Sequence, residues 1–198
     1  ILSQAQQTFP NGLWWIKDRD NGNQHQLVDS VRNAADPGYA FYCPTYADNT
    51  DYVPPSGNSV AWCWNYNDAD PSINGFSIRQ FTTTGGSNQV FHGLGKAPEF
   101  IIMKGAVTSV PWYVYHKDLD SGNYLLLDKG FMQDKDTRVF AQVNAADCFL
   151  LDTFNSSLDI QAYFWTSIPG YSSFGKYQGN SSNDGVLVSL PFRPAWVM

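Results

Sequence analysis

Short apolar runs bounded by turn-forming residues recur through the whole chain, and they constrain its fold more than any other feature. They come about every 8–15 residues, and several alternate apolar with polar side chains, the period of a strand with one buried face. This spacing is typical of a β-sandwich or a jelly roll. The predicted strands are Leu13–Lys17, Gln24–Val28, Ala40–Cys43, Ser59–Trp64, Phe76–Thr82, Gln89–His92, Phe100–Lys104, Trp112–His116, Tyr124–Leu127, Val139–Val143, Cys148–Leu151, Ile160–Thr166 and Val186–Leu190.

Composition also favours strands and turns over helices. Aromatic residues make up 16% of the chain and charged residues only 15%, and Glu99 is the only glutamate. Aspartate and asparagine, which the chain uses freely, favour turns and caps over helix interiors. One segment, Val28–Ala35, could form a helical turn or two before Asp36-Pro37-Gly38 ends it. We therefore predict an all-β chain of antiparallel sheets.

Four segments recur in the same order at offsets of 87 to 101 residues. The pairs are Leu13–Lys17 with Phe100–Lys104, Val60–Trp64 with Gln161–Trp165, Gly75–Ile78 with Gly170–Ser173, and Pro98–Ile102 with Pro194–Met198. Chance reuse of apolar strand patterns is the alternative, but four matches in register favour an internal repeat of about 95 residues.

The repeat divides the chain into three parts. Residues 1–74 form a first unit without its opening strands, and residues 75–169 form a complete second unit. Residues 170–198 either begin a third unit or complete the first. Because Trp196 repeats an opening strand, we expect the native chain to continue past Met198, or a neighbouring subunit to complete the unit.

Charge and cysteine usage disfavour several functions. The net charge is −6 and the 12 lysines and arginines are scattered, which argues against nucleic-acid binding. No apolar stretch is long enough to span a membrane. The three cysteines and three histidines lack zinc-site spacing. We predict no metal, no cofactor and no membrane insertion, with Cys63 and Cys148 as buried thiols and a Cys43–Cys63 disulfide left open.

Two groups of residues are candidates for ligand binding. The first is the oxygen-rich segment Asn65–Asn74, with Asn65, Tyr66, Asn67, Asp68 and Asp70. It could bind a metal ion or a sugar, and a plain polar loop is the alternative. The second group is Tyr113 and Tyr115, which alternation places on the face opposite Trp112, Val114 and His116. Exposed aromatic rings stack on sugars, and core packing is the alternative.

Hydrolytic chemistry is not indicated. Glycosidases need two carboxyl groups at a defined separation, and this chain has one glutamate. Aspartate pairs in Lys117–Asp120 and Gln133–Asp136 leave that possibility open. No Gly-x-Ser-x-Gly motif occurs. The sequence therefore predicts a protein that is not an enzyme.

The chain resembles tail-fibre-like proteins of marine bacteriophages, especially of the cyanophage type. The resemblance is carried by NGLWWIKDRDNGNQHQLVDSVR, VAWCWN, VFHGLGKAPEFIIMK, WYVYHKDL and the stretch from GYSSFGKYQGNSSNDG to FRPAW. Two departures, Asn33 in place of a glycine and the KYQGNSSNDG hairpin, affect turns only. Such proteins carry repeated β domains grouped with concanavalin-like lectin or SPRY-like sandwiches.

The resemblance implies an extracellular virion domain that contacts the host cell surface, with glycans as ligands. Its other partners would be further copies of itself or other virion proteins. A purely structural virion component, such as a fibre shaft or decoration protein, is one alternative. A polysaccharide-degrading tailspike is the other.

Overall fold

The computed structural model describes residues 10–22, 25–35, 39–43, 50–51, 58–105, 110–127, 134–150 and 156–197. Its regular structure is almost entirely β, with one short helix, α1 (Ser30–Ala35). The strands are β1 (Gly12–Asp18), β2 (His25–Asp29), β3 (Tyr39–Cys43), β4 (Thr50–Asp51), β5 (Ser59–Asn65), β6 (Phe76–Thr84), β7 (Asn88–Phe91), β8 (Phe100–Gly105), β9 (Tyr113–His116), β10 (Asn123–Leu126), β11 (Asp134–Lys135), β12 (Gln142–Val143), β13 (Asp147–Leu150) and β14 (Ser156–Trp165). The predicted all-β class and the short helix are confirmed.

The strands form three antiparallel sheets. Sheet 1 has the order β4-β3-β2-β1-β5, sheet 2 the order β11-β10-β9-β8-β14-β6, and sheet 3 the order β12-β13-β7. One buried cluster lies between sheets 1 and 2, where Leu13 and Leu27 meet Ile78 and Tyr163. Sheets 1 and 2 therefore pack face to face as two layers of a β-sandwich.

A second buried cluster lies on the other face of sheet 2. Ile101 and Phe164 there pack with Val90 and Cys148 of sheet 3. Because both faces of sheet 2 are covered, its central strands are apolar on both faces and do not alternate. Ile101 and Ile102 of β8, for example, belong to different clusters and are both buried.

Sheets 1 and 2 pair their recurrent segments in one register. The matched pairs are Leu13–Trp64 with Phe100–Trp165, Trp15–Trp62 with Ile102–Tyr163, Lys17–Val60 with Lys104–Gln161, and Leu13–Asp29 with Phe100–His116. Five strands of each sheet also follow the same order, β4-β3-β2-β1-β5 and β11-β10-β9-β8-β14. In the part of the chain that the structure describes, the sheets differ at one place: β14 has β6 beside it, whereas β5 is the last strand of sheet 1.

The predicted strand at Val186–Leu190 is wrong. Described residues 166–197 contain no strand, and Leu187 is 93% exposed. A strand needs a neighbour for its backbone hydrogen bonds, and this run has none among the described residues. The ring of Trp196 contacts that of Trp64 edge-on at 5.7 Å and remains 46% exposed. The expectation that a continuation of the chain or another subunit covers Trp196 stays a prediction.

Smaller differences concern short elements. The two-residue strands β4 and β11 have no apolar period to reveal them. In the predicted strand Val139–Val143, a turn precedes β12, and that turn buries Val139 and Phe140. Cys63 is a half-buried free thiol and Cys148 a buried one, and the side chain of Cys43 lies outside the described residues. None of the described helices is long and apolar enough to cross a membrane.

Candidate functional site

Three loops meet at one end of the sandwich, next to the last residue of β14. The backbone N–H of Thr166 donates to the carbonyl of Gly75, 2.9 Å away. The N–H of Glu99 donates to the carbonyl of Trp165 at 2.8 Å. These bonds bring together the loops that follow β5, precede β8 and follow β14. We call this the loop end of the molecule.

A groove of about 530 Å³ opens at the loop end. Its walls come from segments far apart in the chain, so that only folding assembles it. The lining residues are Lys96, Ala97, Glu99, Thr166, Ser167, Pro169, Gly170, Ser172, Ser173, Pro191 and Phe192. The groove thus combines hydroxyl groups, one carboxylate, one ammonium group and apolar surface.

Glu99 is the anchored acid of this groove. Its Oε2 accepts hydrogen bonds from Ser167 Oγ at 2.5 Å and from Lys117 Nζ at 3.2 Å. The backbone of Lys117 is also fixed, because its N–H donates to the Glu99 carbonyl at 2.9 Å. The Glu99 side chain is 22% exposed. A carboxylate held in this way is positioned before a ligand arrives, which lowers the ordering cost of binding.

The predicted oxygen-rich loop is held by its own side chains. Tyr66 is buried, and its hydroxyl donates to Asp68 Oδ1 at 2.5 Å while it accepts a hydrogen bond from Arg79 Nη1. Arg79 Nη1 also lies 3.7 Å from Asp68 Oδ1. Burial, with the neighbouring carboxylate of Asp68, raises the pKa of Tyr66 to about 12. Tyr66 is therefore a structural hydrogen-bonding group at neutral pH.

The remaining loop residues shape turns. Asn67 Oδ1 accepts from the N–H groups of Ala69 and Asp70, and Asp70 Oδ1 accepts from Ser72. Asn65 is exposed at the end of β5. Side-chain oxygens that cap nearby backbone N–H groups stabilise polar turns. The part of the chain that the structure describes contains no group of three or more acidic, histidine or cysteine residues that could hold a metal ion.

The two candidate tyrosines lie elsewhere. Tyr113 contacts Tyr124 edge-on at 5.2 Å, and Tyr115 contacts Phe140 at 5.5 Å. Both are half-buried against the cluster between sheets 2 and 3. Trp112 and Val114 belong instead to the cluster between sheets 1 and 2, so the predicted alternation is confirmed. Tyr66 also lies in that first cluster, on the face of sheet 2 opposite the two tyrosines.

The sequence model of one family, Domain of unknown function (DUF7483), matches residues 35–198. The chain belongs to the DUF7483 family. Neither a curated protein nor a solved structure matches it. The range matched to DUF7483 contains β3 to β14 and the whole groove.

In this DUF7483 member, sequence reasoning missed the groove. Glu99 carried one signal, as the only glutamate of the chain. Ser167 and Phe192 carried no such signal, because a single hydroxyl group or aromatic ring is common in a turn-rich stretch. His92, a buried ring at the start of the loop before β8, is structural: Nε2 donates to the Asn144 carbonyl at 3.0 Å and Nδ1 accepts from Leu94 N–H. Burial lowers the His92 pKa, which favours this neutral form.

Proposed function

We propose that this chain is a non-enzymatic domain of a phage virion appendage, tail-fibre-like, that contacts the host surface through glycans. The observation that carries the proposal is the groove at the loop end. Its volume of about 530 Å³ lies within the range of small-ligand sites, roughly 300–1,000 Å³. Binding residues carried by loops on a rigid β scaffold are a common arrangement.

The chemistry of the groove suits a sugar. A sugar ring presents several hydroxyl groups and one less polar face. Glu99 could accept hydrogen bonds from hydroxyl groups, and charge-assisted bonds of this kind are the stronger ones. Ser173 adds an exposed hydroxyl group, and Phe192 adds an aromatic ring that a sugar face could stack on.

The finer fold assignment belongs to the same proposal. We propose a jelly-roll or concanavalin-like sandwich that arose from an internal repeat of about 95 residues. The common register of β1–β5 and β8–β14 supports the repeat. So does the positive φ of both Gly75 and Gly170, which are equivalent in the sequence alignment.

A purely structural virion component is the second candidate. Two observations favour it: no other strand that the structure describes pairs with the outer side of β5, and apolar residues such as Leu187 and Val197 are exposed. Both features suit assembly with copies of itself or with other virion proteins. In that case the groove would be a by-product of loop packing.

Glycan-array binding tests the proposal. The wild-type protein should bind a subset of bacterial surface glycans, and Glu99→Gln should weaken binding about tenfold or more, since it removes a charged hydrogen-bond acceptor. The matched control is Asp136→Asn, at an acid that is 25% exposed, pairs with Arg138 and lies outside the groove. This variant should bind as the wild type does.

Two results would contradict glycan binding by a non-enzyme. If no glycan is bound, the structural candidate gains. Release of reducing sugar from host polysaccharide would instead identify a tailspike-type hydrolase.

A further inference from the structure

The outer edge of β5 has hydrogen-bonding groups that no described residue uses. Tyr66 N–H donates to the Asn11 carbonyl, and Arg19 N–H donates to the Asn58 carbonyl, one at each end of the β1–β5 pair. In an antiparallel pair, residues alternate between bonding to the partner and pointing away. Ser59, Ala61, Cys63 and Asn65 therefore direct their backbone N–H and C=O groups away from β1. No strand among the described residues lies on that side.

The equivalent edge in sheet 2 is occupied. β14 holds the place in sheet 2 that β5 holds in sheet 1, and β6 pairs along its outer side from Phe76 opposite Trp165 onward. With a neighbour on both sides, Ile160–Trp165 is buried throughout, whereas β5 is half-buried from Ser59 to Trp64 and exposed at Asn65. Among the described strands, none thus holds the place beside β5 that β6 holds beside β14.

The chain also carries a run that lacks a strand neighbour. Leu187 is 93% and Val188 53% exposed, and no described residue hydrogen-bonds to the backbone of Val186–Leu190. Valine and leucine suit strands, and Pro191 ends the run because it cannot donate. Gly185–Leu190 is nearly as long as the seven residues of β5, and neither segment carries a charged side chain.

We propose that the outer edge of β5 binds the Val186–Leu190 run of a second copy of this chain as an added strand. The run is not on its own β5 edge, because Trp196 reaches only Trp64 near the end of that strand and Leu187 points into solvent. The segment after Gly170 is less available, since Ser172 N–H donates to the Ile168 carbonyl and Phe174 stacks on Phe100 at 5.8 Å.

This contact is heterologous: each copy offers an edge at one place and a run at another. Such contacts build rings or open chains of subunits instead of closed two-fold dimers. Backbone pairing provides the affinity, as in other cases of strand addition to a sheet edge. The inference does not rest on glycan binding, because neither β5 nor Val186–Leu190 lines the groove.

Sedimentation velocity over a concentration series tests the contact with two kinds of variant, one that changes the β5 edge and one that changes the Val186–Leu190 run. Ala61→Pro removes an outward N–H without removing a bond to β1, and Ala61→Ser is its matched control. The double variant Leu187→Pro/Val188→Pro removes two neighbouring N–H groups of the run. Because one of the two faces the edge in either register, the run can no longer pair fully. Near-ultraviolet circular dichroism and the melting temperature verify that each variant is folded.

The wild-type mass should rise above 22.2 kDa with concentration. Each proline variant should associate at least tenfold more weakly, and Ala61→Ser within twofold of the wild type. An equimolar mixture of the two proline variants should form a 1:1 dimer and nothing larger, because one copy keeps only its run and the other only its edge.

Three results would overturn the proposal. One is a wild-type protein that stays at 22.2 kDa at every concentration, as it would if its own run folded onto its own edge. Another is undiminished association of Ala61→Pro. The third is a mixture of the two proline variants that remains monomeric. If Ala61→Pro does not fold, a mixture of Leu187→Pro/Val188→Pro with the wild type tests the proposal. This variant keeps its β5 edge but not its run, so it should cap the growing chains and lower their mean mass, and an unchanged mean mass would overturn the proposal.

Discussion

Strands β5 and β14 occupy the same place in two sheets of the same plan, yet their environments differ. Each pairs with the strand of a recurrent segment, β1 or β8, in the same register. Ile160–Trp165 of β14 is buried on both faces, whereas every described side chain of β5 is half-buried or exposed. Similar local sequence thus produces similar pairing, while burial depends on what the rest of the chain places alongside.

The largest expected effect comes from truncating equivalent aromatic residues. Tyr163 is fully buried and lies opposite Ile102, and Trp62, half-buried, lies opposite Trp15. Tyr163→Ala should lower the free energy of unfolding by about 3–5 kcal/mol. Trp62→Ala should cost about 1–2 kcal/mol, because less of its surface leaves water on folding. Urea unfolding measures both, and equal losses would contradict the difference in burial.

The buried acid between the sheets should have the next largest effect. Asp29 accepts hydrogen bonds from Tyr163 Oη at 2.9 Å and Gln161 Nε2 at 3.2 Å, and lies 3.8 Å from Arg32. Asp29→Ala would leave these groups without their acceptor and should cost about 3–4 kcal/mol. Asp29→Asn keeps part of the bonding and should lose less.

His116 provides the matched comparison, since it faces Phe100 as Asp29 faces Leu13. It is only partly buried, so His116→Ala should cost about 1 kcal/mol. Thermal and urea unfolding should rank the three variants in the order given. A loss for His116→Ala as large as that for Asp29→Ala would show that Asp29 does not link the two sheets.

Equivalent glycines give a smaller contrast. Gly75 and Gly170 both have positive φ, 60° and 76°. A Cβ at Gly75 would lie 2.7 Å from the Thr166 carbonyl oxygen, whereas nothing lies within 4 Å of one at Gly170. Gly170→Ala should therefore cost about 1 kcal/mol for the backbone conformation alone. Gly75→Ala should cost about 2–3 kcal/mol because the clash adds to it. Melting temperatures of the two variants measure the difference, and equal shifts would contradict the close contact at Gly75.

The smallest effect is a dependence on pH. Burial lowers the pKa of His116 in the folded state, although Asp118 partly opposes this. The unfolded chain then binds more protons than the folded one below about pH 6.5, so stability falls as pH falls through that range. His116→Gln should make the unfolding free energy less dependent on pH between about 6.5 and 5. An unchanged slope would show that His116 does not contribute.

Local pattern predicted most of the strands. The segments at Leu13–Lys17 and Phe100–Lys104 indicated strands because apolar period and turn residues are local properties. The alternation of Tyr113 and Tyr115 with Trp112 and Val114 assigned their faces correctly. The same pattern gave no information on depth, so it could not say that the two tyrosines pack against sheet 3.

What the sequence determined by itself is the all-β class and the positions of most long strands. Tertiary structure alone decided that β14 has a strand on both sides while β5, among the described residues, has one on a single side. It also decided that Val186–Leu190 is not a strand and that Glu99, Ser167 and Phe192 share a groove. The physical reason is that a strand's period is encoded in adjacent residues. Its hydrogen-bond partners, its burial and the walls of a groove come from segments that only folding brings together.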